Sequence, residues 1–283
     1  FGESAFLNRT AFSPGPSFSH ELRLTGLLPD REYVFQVVSR DQAGNAATDN
    51  NAGQLHRFRT LKPLTPPFVD DLEGDTPGWA VATESLDGET ASIFLSSTWE
   101  LGEPDNELAE AAHSGLLAWG TNLRGWANDF ANASLVPPAI DLRGGNRATL
   151  RFWHNYDFLP RSDELDILEY GGVYVTTNNG ASWLPLRDYP DFTSGWEEEE
   201  LDLTPHLGQV VRVGWAYALF SLATVPHPGW LIDDVSISVA NITPGLLILS
   251  NNLSQASVSL RGPLNRLERG DLIVLSNAPP GTY

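Results

Sequence analysis

The chain of 283 residues is long enough for two or three domains, and its 41% apolar and 19% charged content is ordinary for a folded protein. Seventeen basic against 36 acidic residues leave a net charge of −19, which repels nucleic acid and anionic membranes, attracts cations, and excludes a nucleic-acid partner. Without cysteine there is no disulfide framework and no thiolate metal site. Without methionine the chain is expected to be processed or a fragment. No apolar run approaches the roughly 20 residues needed to cross a bilayer, so no membrane insertion is expected.

Residues 1–60 read as strands and turns. Tyr33 to Val38 alternates, which predicts Tyr33, Phe35 and Val37 on one side of a strand. Leu27, Pro29 and Tyr33 have the spacing in which a tyrosine at a strand start bonds back to the preceding corner. Asp41 to Asn45 is a turn, and Leu55 to Thr60 a last strand. These residues resemble the second half of a bacterial extracellular fibronectin type III domain. The resemblance implies that 1–60 is the C-terminal part of such a domain.

Residues 61–67, Leu-Lys-Pro-Leu-Thr-Pro-Pro, read as a stiff proline-rich linker and a domain boundary. All nine tryptophans then fall between Trp79 and Trp230, which marks 68–240 as one differently built unit. Ala148 to His154, Gly172 to Thr177 and Val210 to Tyr217 alternate as strands, and Asn178-Asn-Gly180 is a hairpin signal. One short helix is expected around Asn106 to Ala112. Many strands without repeating helices, at this length, predict a two-sheet jelly-roll sandwich. After 240, Gly245 to Ser250, Ala256 to Leu260 and Asp271 to Leu275 read as strands of an incomplete C-terminal β-module over 241–283. The fold class is therefore all-β: a partial sandwich, a jelly roll, and the start of a further small β-domain.

The central unit carries an ordered set of motifs. Asp71-Leu-Glu73 precedes Trp79; Trp119-Gly-Thr-Asn122, Pro138-Ala-Ile-Asp-Leu142, Leu150-Arg-Phe-Trp-His154, Val173-Tyr-Val175, Gly195-Trp196 and Gly229-Trp-Leu-Ile-Asp-Asp-Val235 follow. Together they resemble the MAM-like jelly-roll modules of secreted bacterial proteins: cleaved-adhesin and choice-of-anchor J domains, and the non-catalytic domain of immune-inhibitor-A-like peptidases. The resemblance implies a secreted or cell-surface, non-catalytic adhesion or binding segment of a larger prokaryotic protein. Two alternatives stand beside it: a structural subunit of an extracellular filament, with copies of the chain as partners, and a carbohydrate- or substrate-binding accessory region of a secreted hydrolase. Other domains of the same protein and glycans are the remaining expected partners.

The resemblance also implies a structural Ca2+ that ties the first strand to the last, through Glu73 and one of Asp233 and Asp234. Parity with Val235, Ile237 and Val239 predicts that Asp233 points into the core and Asp234 outward; an inward carboxylate needs a cation or hydrogen bonds. Asp157 is a possible third ligand. The competing reading is that these acids cap turns or pair with Arg151 or Arg212. Trp99, Trp126, Tyr156 and Tyr170 fall in or beside predicted loops, and Trp126, Tyr156 and Tyr170 are the carbohydrate candidates.

No catalytic motif accompanies them. His20-Glu21 lacks the second histidine of a helical zinc motif, and there is neither a nucleophile elbow nor a phosphate loop. The runs Asp163 to Glu169 and Glu197 to Glu200 read as solvated faces, and His113, His154, His206 and His227 as scattered.

Overall fold

A computed structural model describes residues 1–3, 7–12, 20, 22, 24, 26–74, 78–82, 99–126, 130–159, 167–221, 227–242, 245–250, 257–260, 266–269 and 272–278. The chain is all-β, and its described residues hold one short 3-10 turn, at Thr204–His206. The expected helix at 106–112 is absent. The Asn106 carboxamide instead accepts the amides of Leu108 (2.9 Å) and Ala109 (3.3 Å), a local turn that competes with helix nucleation.

In the first sixty residues, β1 (Gly2–Glu3), β2 (Glu32–Phe35) and β5 (His56–Arg59) form a three-stranded antiparallel sheet. The Tyr33 hydroxyl accepts the Leu28 amide at 2.7 Å, the corner bond that the spacing predicts. The expected single strand from Tyr33 to Val38 is broken after Phe35: β3 (Val37–Arg40) pairs with β4 (Ala46–Asp49) as a separate hairpin, and Val37 is exposed. Its turn is closed by Asp41, whose carboxylate accepts the Asn45 amide at 2.8 Å. The proline-rich segment that follows is docked on the sandwich. Leu64 exchanges backbone hydrogen bonds with Ala139 and Asp141 at 2.8 and 2.9 Å.

The sandwich is built from β6 (Phe68–Asp70), β7 (Ala80–Ala82), β8 (Glu100–Gly102), β9 (Ala118–Gly120), β10 (Phe130–Val136), β11 (Ile140–Asp141), β12 (Arg147–Asp157), β13 (Ile167–Thr176), β14 (Leu184–Tyr189), β15 (Glu197–Asp202), β16 (Val210–Ser221) and β17 (Gly229–Ala240). One sheet runs β14-β13-β16-β10-β7, with β11 also on β16. The other runs β15-β12-β17-β9-β8, with β6 also on β17. The predicted pairing of first and last strands is present: Phe68, Val69 and Asp70 oppose Ile237, Ser236 and Val235.

Alternation explains which side chains fill the space between the sheets. Leu150, Phe152 and Tyr156 on β12 and Trp230, Ile232, Val235 and Ile237 on β17 meet Val173, Val175, Val213, Trp215 and Tyr217 from the other sheet. A carboxylate also enters this space. Glu169 accepts the Tyr217 hydroxyl at 2.5 Å and the Leu159 amide at 2.8 Å, and burial pushes its carboxyl up to about 7. Beyond the sandwich, β18 (Gly245–Ser250) pairs with β21 (Leu272–Ala278), and β19 (Ser257–Leu260) with β20 (Arg266–Arg269). The strand at 266–269 was not expected from the sequence.

Candidate functional site

The acidic end strands meet a third element, the loop between β8 and β9. Asn106 fastens that loop by donating to the carbonyl of Asn122 at 2.6 Å, and Asn155 by donating to that of Leu108 at 2.8 Å. His113 then lies flat on Trp153, with ring centroids 3.7 Å apart, and the Trp196 ring meets it edge-on at 6.0 Å. This places His113 and Ser114 over the middle of β17.

There the strand carries a bulge. Arg151 opposes Ser236 and Trp153 opposes Asp233, so Asp234 and Val235 together face Phe152. Asp234 has φ +48, the left-handed conformation rare for residues other than glycine. The extra residue shifts the parity of the strand: Ile232 and Val235 both enter the core, and Asp233 shares the outer face with Trp153. Asp233 is fully buried, as the alternation predicts, but the route is different. It is roofed by the 113–114 turn and does not face the opposite sheet.

Asp233 accepts the amides of Ser114 (3.1 Å) and Asp234 (2.7 Å), while Asp234 accepts the Ser114 hydroxyl (2.8 Å) and bonds His113 Nδ1 (2.6 Å). Burial raises the Asp233 carboxyl to about 6, and the neighbouring Asp234 charge adds to this against the pull of the two amides. Ligand atoms of His113, Asp233 and Asp234 lie within 4.8 Å of one another, a spacing that could hold a metal ion.

The other predicted ligands do not join this group. Glu73 clamps the same loop slightly further on, where one carboxylate oxygen accepts the Leu116 and Leu117 amides, each at 2.7 Å. Asp157 is exposed at the far end of β12, opposite Gly229 and four residues beyond Trp153. Asp70 and Asp71 cap the turn after β6, with Asp70 also accepting the Trp79 indole N–H at 2.8 Å. Arg151 pairs with Glu200 and Glu198. Sequence reasoning set His113 aside as scattered. The 121 residues separating it from Asp234 hide the pairing, and a His-Ser dipeptide is no signal by itself.

The carbohydrate candidates are dispersed. Trp126 is 48% exposed on a loop, Tyr156 is buried between the sheets, and Tyr170 alternates with the inward Glu169 and Gly171, so it faces the outer side of the other sheet. Trp99 is buried in the core. Asp163, Glu164 and Asp166 lie outside the described residues.

No family model matches the chain. Bacillopeptidase F of Bacillus subtilis (strain 168) is 32% identical over 182 residues, 63% of this chain. The chain spans only 11% of the length of that curated relative. Among solved structures, the K1 cleaved adhesin domain of Lys-gingipain from Porphyromonas gingivalis W83 aligns with 62% of this chain and 98% of its own, at TM-score 0.39 and 18% identity. TmCBM61 in complex with beta-1,4-galactotriose aligns with 59% of this chain and 91% of its own, at TM-score 0.34 and 15% identity. No helix among the described residues is long and apolar enough to cross a membrane.

Proposed function

We propose that residues 68–240 form a non-catalytic, extracellular adhesion or binding module of the MAM-like, cleaved-adhesin kind, carried within a larger secreted protein and preceded by a fibronectin III-like segment. The observation that carries this reading is the disposition of the acidic end strands. Asp233, Asp234 and Glu73 spend their oxygens on joining the last strand, the first strand and the 113–117 segment, which is the work of a structural clamp.

A Ca2+ ion belongs in the same reading. Calcium takes oxygen ligands, and Asp233, Asp234 and the Ser114 hydroxyl supply them beside one another, with the buried Asp233 carboxyl lacking a full positive partner. The ion would supply charge that neutralises this pair, while His113 is held by Trp153 and Asp234 at its edge.

A second reading, accessory region of a secreted hydrolase, is supported by the 182-residue similarity to a small part of Bacillopeptidase F. The test is twofold. Ca2+ should raise the melting temperature of the chelated chain, and immobilised chain should retain glycan or matrix ligands without turning over peptide or glycan substrates. Turnover that disappears in Asp233→Asn would overturn the non-catalytic reading, and a melting temperature indifferent to Ca2+ would remove the ion.

A further inference from the structure

The long edge of the sandwich, on the inner face of the sheet whose outer face carries the clamp, is not closed by apolar side chains. At the end of one sheet, Glu197, Glu199 and Leu201 of β15 oppose His154, Phe152 and Leu150 of β12, residues whose side chains face inward. Cross-strand partners share a face, so Glu197 and Glu199 lie on the inner face that Leu201 continues into the core, Glu199 half-buried and Glu197 exposed at the open edge. At the end of the other sheet, Arg187 and Tyr189 of β14 oppose the inward Val173 and Gly171. The result is a pocket of about 380 Å3 lined by His154, Tyr156, Arg187, Tyr189, Glu197 and Glu199, with Asp188 at its rim.

Its inner polar groups combine acceptors, the Glu197 and Glu199 carboxylates and the His154 imidazole, with donors, the Arg187 guanidinium and the Tyr156 and Tyr189 hydroxyls. The contact from Arg187 Nε to Glu199 is long, 3.8 Å, the Tyr189 hydroxyl also faces Glu199, and among the described residues Glu197 receives the Ser194 amide and hydroxyl, at 3.3 and 3.4 Å. His154 is 4% exposed, and its Nδ1 has no hydrogen-bond partner among the described residues. Burial and the nearby Arg187 charge lower its pKa to about 4, so the imidazole is neutral and keeps a lone pair. Three carboxylates against one arginine leave the lining negative. That net charge favours a cationic ligand over a neutral sugar.

We propose that this edge pocket binds a guanidinium group, as presented by an arginine side chain of a partner polypeptide, with Glu197 and Glu199 as the charged acceptors, His154 as the neutral one and the Tyr156 and Tyr189 rings beside it. A guanidinium has five donors and no acceptor, forks onto carboxylates and packs on aromatic rings. The inference rests on the binding-module reading and names what this surface takes up; it does not involve the cation clamp.

The 283-residue chain is titrated, with NMR shifts observed, using acetyl-Gly-Arg-Gly-amide, its citrulline counterpart, agmatine and galactotriose. The arginine peptide is expected to bind with a Kd of about 1 mM or tighter. Its shifts should centre on residues 154–156 and 187–199, and citrulline should bind about tenfold more weakly or not at all. Glu197→Gln and Glu199→Gln should each weaken the arginine peptide by about tenfold, while Arg187→Gln, which removes the resident cation, should strengthen it. His154→Phe keeps the ring and removes the acceptor, and should weaken binding with melting retained. Agmatine binding as tightly as the peptide would identify the shared guanidinium as sufficient; peptide binding more tightly would point to added backbone contacts at the β14 or β15 edge. Equal binding of citrulline, shifts at this pocket from galactotriose alone, or no shift from the arginine peptide would each overturn the proposal. The last result, with Ca2+ stabilisation and glycan or matrix retention intact, would sink this inference while leaving the binding-module reading standing.

Discussion

Removing the Glu73 carboxylate should loosen the 113–117 segment from the first strand. One oxygen of Glu73 accepts two backbone amides, those of Leu116 and Leu117, both at 2.7 Å. Hydrogen bonds to a charged acceptor contribute about 1.5–3 kcal/mol each, and the low end applies at an exposed residue, so Glu73→Ala should cost about 2–3 kcal/mol. For a domain of this size that corresponds to a fall in melting temperature of about 5–10 °C. Gly115 provides a check from the opposite side. It has φ +59, and a Cβ there would fall on the Glu73 carboxylate. Gly115→Ala should therefore cost about 1–2 kcal/mol for the left-handed backbone and, in addition, most of the clamp. In the Glu73→Ala background the collision is gone, so the two losses should fall short of additive. Calorimetry supplies the cycle, and hydrogen exchange at the Leu116 and Leu117 amides reports the bonds directly. Unchanged exchange at both amides in Glu73→Ala, or strict additivity in the cycle, would refute the reasoning.

Other consequences can be measured on the same material. Asp233 and Glu169 have folded-state values raised to about 6 and about 7, so their stabilisation is complete below their unfolded values near 4 and is lost as pH rises through the raised ones. In chelator, the melting temperature should fall between about pH 4 and about pH 7; Ca2+ should flatten the Asp233 part of that slope, and a slope of opposite sign would contradict the assignment. Glu169→Gln can accept the Leu159 amide and donate to Tyr217, so it should stabilise the chain at about pH 8 and have little effect below about pH 4. Trp230 is fully buried among aromatic rings from both sheets, and Trp230→Ala should cost about 3–5 kcal/mol by chemical denaturation. Replacing Asn106 by Ala removes both its turn and its bond to Asn122, and should raise exchange at Leu108 and Ala109 without altering core protection.

Period-two alternation made the sandwich legible, because each long strand has one face against the other sheet. The pairing of Phe68–Asp70 with β17 was likewise readable from matching motifs at either end. What alternation cannot show is a place where the count slips. The bulge at Asp234 moves Asp233 to the outer face without changing a letter of the pattern, so the correct prediction of burial came with an incorrect direction. The run Glu197 to Glu200 failed for the opposite reason. It looked like one solvated face, yet strand geometry divides it: Glu198 and Glu200 lie outside beside Arg151 and Arg147, while Glu197 and Glu199 turn inward. His113 and the Tyr156 surroundings depend on contacts more than a hundred and more than thirty residues apart respectively, and no local spacing encodes them.

The division of those four glutamates also bears on how such a unit can sit beside others. A strand at the rim of a sheet ordinarily offers its free amides and carbonyls to any passing β-strand, and uncontrolled pairing there leads to aggregation. Here carboxylates project from both sides of β15, so an acidic strand drawing alongside would meet repulsion above and below its backbone. Two copies of this sandwich, each with the same acidic rim, are therefore kept from fusing their sheets along β15.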